Sequence, residues 1–170
     1  MAATHAHVVR RLKLVYMEFK IMATDDAPIR PRSLGRQLNF AAGACTAMCN
    51  ARLAAYDLTL PQWVVLSALW QRDGLTVGEI AEYSGNNIPA TSRILDRMVE
   101  KDLVQREVDD RDRRAVRVCL AEAGRVLRPL ETFHERVNDT LLEGFTQREA
   151  ELLYALLARV EDRALGWSAE

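Results

Sequence analysis

Two short segments near the middle of the chain, Val104-Gln105-Arg106-Glu107-Val108 and Ala115-Val116-Arg117-Val118-Cys119-Leu120, alternate apolar and polar residues. A period of two is the signature of β-strands. It sets Val104 and Val108 inward on the first, and Val116, Val118 and Leu120 inward on the second. The connection between them, Asp109-Asp110-Arg111-Asp112-Arg113-Arg114, carries no apolar side chain. The pattern describes a hairpin with a charged tip. A merely solvated bend would favour Gly or Asn, and neither is present.

What precedes the hairpin narrows the fold. Pro61 falls in the first turn of a helix carrying Val64, Val65, Leu66, Leu69 and Trp70, which stops at Arg72-Asp73-Gly74. Thr76-Val77-Gly78-Glu79 is a capping box, in which hydroxyl and carboxylate satisfy the free amides of a first helical turn. Its helix, with Ile80, Ala81 and Tyr83, lasts barely two turns before Ser84-Gly85. A third helix is expected from about Pro89 to Lys101. Three short helices with a tight turn between the second and third form a helix-turn-helix, and the hairpin that follows is a wing.

Longer helices flank this lobe. Val8, Leu12, Val15, Phe19 and Met22 repeat at spacings of four and three, and Thr24 to Pro31 interrupt them as a linker. A helix that begins after Ser33 and runs to about Tyr56 carries the stripe Leu34, Leu38, Ala41, Cys45, Met48, rich in small residues. After the hairpin, Ala123, Val126, Leu127, Leu130, Val137 and Leu141 continue one apolar face, which Pro129 interrupts and Gly144 ends. A second capping box, Thr146 to Glu149, opens a helix with Leu152, Leu153, Leu156, Leu157, Val160 and Leu165. Such stripes exceed what one small domain needs, and a dimer seam would use the surplus. The chain divides into an N-terminal helical extension and linker (1–32), a first dimerisation helix (33–58), a winged lobe (59–121) and C-terminal dimerisation helices (122–170). The expected class is mainly α with a small β-hairpin wing, a winged helix-turn-helix between dimerisation helices.

The formal net charge of −1 over 170 residues argues, on its face, against nucleic acid. It is uneven, however: +4 over residues 1–36, −2 over 37–85, +2 over 86–130 and −5 over 131–170. Local patches matter more than the total. Of the 23 basic residues only Lys13, Lys20 and Lys101 are lysines; arginine suits forked contacts to phosphates and base edges, although genomic composition explains the bias equally well. Three cysteines without a CxxC pair fit a reducing cytosol, and no apolar run approaches a membrane span, so a cytoplasmic, nucleoid-associated protein is expected without a targeting peptide.

In the third helix, Thr91, Ile94, Leu95 and Met98 share one face, while Ala90, Ser92, Arg93, Arg97, Asp96 and Glu100 lie opposite. A helix entering the major groove needs this division, an apolar back with short polar and guanidinium groups in its first turns. An ordinary surface helix in which Arg93 and Arg97 pair with Asp96 and Glu100 is the competing reading. Arginine at a hairpin tip suits a narrow minor groove. Arg113 is assigned to the groove, Asp112 to orienting a neighbouring arginine, and Arg111 and Arg114 to phosphates or bracing. Asn87, Pro89, Ala90, Ser92, Arg93 and Arg97 of the helix, with Arg111, Asp112, Arg113 and Arg114 of the hairpin tip, make up the expected DNA-binding set, and double-stranded DNA is the expected partner.

At this point the sequence resembles the MarR family of bacterial transcription regulators. The matching runs are Ser92 to Val99, Lys101-Asp102-Leu103-Val104, Asp110 to Ala115, and Leu120-Ala121-Glu122-Ala123-Gly124. Asp102 stands where the family usually has Gly, and Ala121 where it usually has Thr. The resemblance implies a homodimer on a pseudo-palindromic operator, and repression relieved by a small, often aromatic or phenolic, acid. By the same resemblance, Tyr56, Trp63 and Trp70 would supply aromatic walls to a ligand cleft, and Arg106 with Ser92 would meet a carboxylate.

Other classes find less. Cys45 and Cys49 lie one turn apart on an apolar stripe, where cysteines are usually small core residues, so a redox-sensing regulator is a secondary reading. A winged-helix module that binds only protein is another. His5, His7 and His134 do not form a metal cluster, and no cofactor is expected. There is no Gly-rich phosphate loop, GxSxG or HExxH, so no enzyme is expected.

Overall fold

Side-chain capping fixes several of the helix starts. The computed structural model describes residues 33–108 and 116–167. The chain forms two compact units, Met1–Ala42 and Gly43–Glu170. Of the first, only residues 33–42 are described. They begin helix α1 (Leu34–Leu53), whose side chains Leu34 and Phe40 are exposed. The N-terminal extension read from the sequence, residues 1–32, lies outside the described residues.

The second unit holds the end of α1, a 3-10 turn (Ala54–Tyr56), α2 (Leu60–Gln71), β1 (Leu75–Thr76), α3 (Val77–Ser84), α4 (Ile88–Glu100), β2 (Val104–Val108) and β3 (Val116–Leu120). It continues with α5 (Glu122–Val126), a 3-10 turn (Arg128–Leu130), α6 (Phe133–Leu141) and α7 (Gln147–Leu165). Asn50 Oδ1 accepts the Leu60 N–H at 2.7 Å, fixing the entry of α2. Thr76 Oγ1 accepts the Glu79 N–H at 3.2 Å while Glu79 Oε2 accepts the Thr76 N–H at 2.8 Å, the expected capping box. Gly85, at φ 66°, ends α3 in the left-handed region, which makes the turn into α4 tight.

The antiparallel sheet has the order β1-β3-β2, with Val104 opposite Leu120 and Val108 opposite Val116. The sequence reading missed β1, which pairs Leu75 with Val118. Asp73 Oδ1 reinforces that edge by accepting the Leu120 N–H at 2.8 Å. Two expectations for the hairpin are corrected. Val108 and Val116 are 60% and 44% exposed, so the inward face is limited to its base, where Val104, Val118 and Leu120 are buried. Among the described residues nothing covers these two side chains beyond the base.

Leu53, Leu66, Leu69, Ile80, Leu95, Met98, Val104 and Val118 form the centre of the core, with Cys49 beside them. The apolar face read through Pro129 is not one continuous helix: α5 ends at Val126, and the chain passes through a 3-10 turn at Arg128–Leu130 before α6. Proline has no N–H and blocks the preceding turn, which accounts for the break. Val126 is exposed and Leu130 buried, so that face does not stay on one side.

The exit from α4 is strained at Asp102, whose φ is 55°. The Leu103 N–H still reaches Met98 O at 2.9 Å, so the tight cap forms around a side chain that disfavours it. Among the described residues Asp102 makes no ion pair that would compensate. Asp102→Gly is therefore expected to stabilise the protein by about 0.5–1 kcal/mol, the relief of left-handed strain less the extra backbone entropy of glycine. A melting temperature raised by roughly 1–4 °C checks it.

Candidate nucleic-acid interface

Helix α4 has the two-sided construction its sequence suggests. Thr91, Leu95 and Met98 are fully buried, and Thr91 Oγ1 donates to Asn87 O at 3.0 Å. Pro89, Arg93, Asp96, Arg97 and Glu100 are exposed, and Ala90 and Ser92 partly so. Among the described residues neither Arg93 nor Arg97 makes an ion pair. The local pairing with Asp96 and Glu100 does not form. Asp96 Oδ1 instead accepts from Arg106 Nη2 of β2 at 2.7 Å, which joins the helix to the wing base and leaves both α4 guanidinium groups facing outward.

Asn87 caps α4, its Oδ1 accepting the Ala90 N–H at 2.9 Å. Its carbonyl oxygen therefore has a structural role, and its amide nitrogen is the group left to meet a partner. Ile88, which the sequence reading did not single out, opens the helix and is 58% exposed. Only its place directly after the cap could have signalled it. The wing assignments Arg111, Asp112, Arg113 and Arg114 lie outside the described residues. The flanking strands are paired up to Val108 and Val116.

Two of the residues proposed to line a ligand cleft are turned into the core. Trp63 and Trp70 are core residues, not cleft walls: Trp63 Nε1 donates to Leu130 O at 2.9 Å, and Trp70 Nε1 to Gly124 O at 3.0 Å. A buried indole needs such a partner, and these bonds fix both rings inward. Phe133 meets Trp63 edge-on, with centroids 5.4 Å apart. Arg106 already holds Asp96. Tyr56 does line a cavity of about 560 Å³, together with Lys101, Leu103, Ala123 and Leu127. Lys101 Nζ donates to Asp57 O at 2.6 Å across its rim.

Burial pushes the Cys119 thiol up to about 11, aided by its hydrogen bond to Glu107, and burial beside Cys45 raises Cys49 to about 11. Hydrogen bonds from the Thr76 backbone and hydroxyl hold the Glu79 carboxyl below its usual range. Among the described residues no group of three or more His, Cys, Asp or Glu side chains could hold a metal ion. No helix among them is long and apolar enough to cross a membrane.

Three consecutive helices, a three-stranded sheet ending in a hairpin, and an outward-facing arginine pair on the third helix define a winged helix-turn-helix. Comparison with known proteins agrees. The MarR family profile matches residues 58–116. The HTH-type transcriptional regulator YsmB of Bacillus subtilis (strain 168) is 30% identical over 110 residues, covering 64% of this chain and 75% of its own length. YwaE of the same organism is 29% identical over 111 residues, 65% of each chain. Among solved structures, a mutant MarR from E. coli complexed with operator DNA superposes with a TM-score of 0.69 at 26% identity, covering 75% of this chain and 92% of that one. The S. aureus MepR–DNA complex gives a TM-score of 0.69 at 22% identity, covering 78% and 96%, a likeness of fold. The chain belongs to the MarR family of transcriptional regulators.

Proposed function

We propose that this protein is a homodimeric repressor that binds a pseudo-palindromic duplex operator through α4 and the wing, and is released by a small aromatic or phenolic acid. One observation carries the reading: Arg93 and Arg97 stand without ion-pair partners among the described residues, on the exposed side of a helix whose back packs into the core through Thr91, Leu95 and Met98. Arginine forks suit guanine edges and phosphates, and the DNA complex of the similar E. coli protein supports the assignment. Arg111, Asp112, Arg113 and Arg114 are proposed as the wing contacts. Support for the homodimer comes from α7, which buries none of its residues yet exposes Leu152, Leu153, Leu156 and Leu157 along one side. A face this apolar suits a second copy of the chain. The effector would lie at the Tyr56 cavity or beside Ser92 and Arg106, where a carboxylate would compete with Asp96.

The test is fluorescence anisotropy of the full-length protein on duplexes selected from a random pool, together with its mass in solution. Binding to a two-fold symmetric sequence by a species of twice the chain mass, weakening steeply with salt, is expected. A monomer, or the absence of salt-dependent duplex binding, would overturn it in favour of a protein-binding module.

Two thiols, Cys49 and Cys119, favour a ligand over an oxidant as the signal. Only the thiolate reacts readily, and a pKa of about 11 leaves it scarce near neutrality. Alkylation of Cys49 and Cys119 by iodoacetamide at pH 7 is expected to be slower than that of free cysteine, on the order of 100-fold if thiolate fraction alone governs the rate. These raised values leave folding undisturbed below the ordinary thiol pKa, and stability falls as pH rises from about 9 through about 11. Rapid labelling of Cys49 or Cys119 in the native protein would restore the redox reading.

A further inference from the structure

The duplex-binding proposal leaves open what the leading edge of α4 reads. We infer that Ile88, supported by Pro89, recognises the 5-methyl group of a pyrimidine in the major groove. The first turn of α4 has little outward hydrogen-bonding capacity. Asn87 Oδ1 holds the Ala90 N–H at 2.9 Å, and Thr91 is buried with its hydroxyl on Asn87 O at 3.0 Å. Pro89 has no N–H, and both it and Ile88 are exposed.

Burial of Ile88 is incomplete. At 58% exposure its side chain leaves much of its apolar surface in water, and β-branching disfavours it in a helix. A recognition helix enters the groove by its N-terminal residues, so this surface would be the first to meet the bases. Base edges there offer hydrogen-bond donors, acceptors and one apolar feature, the pyrimidine methyl. Ile88 and Pro89 match that last feature alone. Thymine supplies the methyl group in ordinary DNA, and 5-methylcytosine presents the same group at the same ring position. Arg93 and Arg97, five and nine residues further along the helix, then take the polar edges.

The inference rests on the duplex-binding reading, and the test separates the two. A duplex selected by the full-length protein is resynthesised with deoxyuridine replacing each thymine in turn, which removes only the methyl group. A second series replaces each cytosine with 5-methylcytosine. Wild-type protein is expected to lose about fourfold in affinity at one thymine per half site, the factor for burying one methyl group. If that position is cytosine, methylation strengthens binding by a similar factor. Loss at uracil identifies thymine as the source, and gain at 5-methylcytosine identifies the methylated base. Ile88→Ala, folded by its circular dichroism, is expected to show neither response. A wild type insensitive to both series, or an Ile88→Ala protein as sensitive as wild type, overturns the inference while duplex binding stands. Failure to select any duplex overturns both.

Discussion

Alanine at Gly124 is expected to destabilise the protein by about 2 kcal/mol or more and to lower its melting temperature by at least roughly 4–8 °C. An added Cβ would lie 2.2 Å from the Leu103 carbonyl oxygen and 3.2 Å from Leu120 Cδ2. The first neighbour is backbone and cannot rotate away. That oxygen accepts the Ala121 N–H at 3.1 Å, while Gly124 O accepts the Trp70 indole N–H at 3.0 Å. Moving α5 outward to make room would therefore weaken two buried hydrogen bonds. Against this stands the better helix propensity of alanine, about 1 kcal/mol. Overpacking of about 3 kcal/mol exceeds it. A thermal melt followed by circular dichroism decides, and a change within about 2 °C would show that α5 can shift freely.

Replacing Arg93 with alanine is expected to weaken operator binding by roughly 5- to 150-fold per half site, the range for losing one forked contact to a base. The duplex-binding proposal underlies this expectation. Its distinguishing result is a change in preferred sequence. If Arg93 reads a base, selection with the variant should return sites relaxed at one position in each half. If Arg93 only touches phosphate, affinity should fall for all sequences alike and the salt dependence should become shallower by about one ion. Arg93→Lys separates charge from geometry, because lysine keeps the charge without the planar fork. Unchanged affinity for Arg93→Ala at physiological salt would remove Arg93 from the interface. The fold should tolerate the change, since Arg93 is exposed and makes no ion pair among the described residues.

Helix starts were the most legible part of the fold, because they depend on contacts three residues apart. Thr76 with Glu79 and Thr146 with Glu149 form their capping boxes where the motifs predict them. Features set by distant partners were not legible. Asp96 has Arg93 and Arg97 nearby in sequence, yet it pairs with Arg106 ten residues away on a strand. Alternation along the hairpin located two faces but could not say where the underlying helices end, so Val108 and Val116 looked inward. Leu75–Thr76 is too short to show a period, and its Thr76 also caps α3, so the strand is visible only through its pairing. Aromatic residues carry no mark of core or cleft in sequence. The carbonyls that hold Trp63 and Trp70 lie 67 and 54 residues away. Within the candidate interface, Arg93 and Arg97 were legible from helical spacing, whereas Ile88 emerged only from its exposure.

The two inward indoles give the protein a built-in optical reporter. Trp63 and Trp70 sit on one helix of the winged lobe, and each is tied to the segment that leads away from the sheet, at Leu130 and Gly124. Trp167, the remaining tryptophan, is 85% exposed. Iodide in solution therefore has ready access to only one of the three emitters, and the unquenched light comes from the pair. If an effector displaces residues 124–130 from α2, those indoles lose their carbonyl partners and meet water, and the shielded emission moves to longer wavelength. Coupling between the lobe and the segment beyond it can thus be followed in the native chain, without a label.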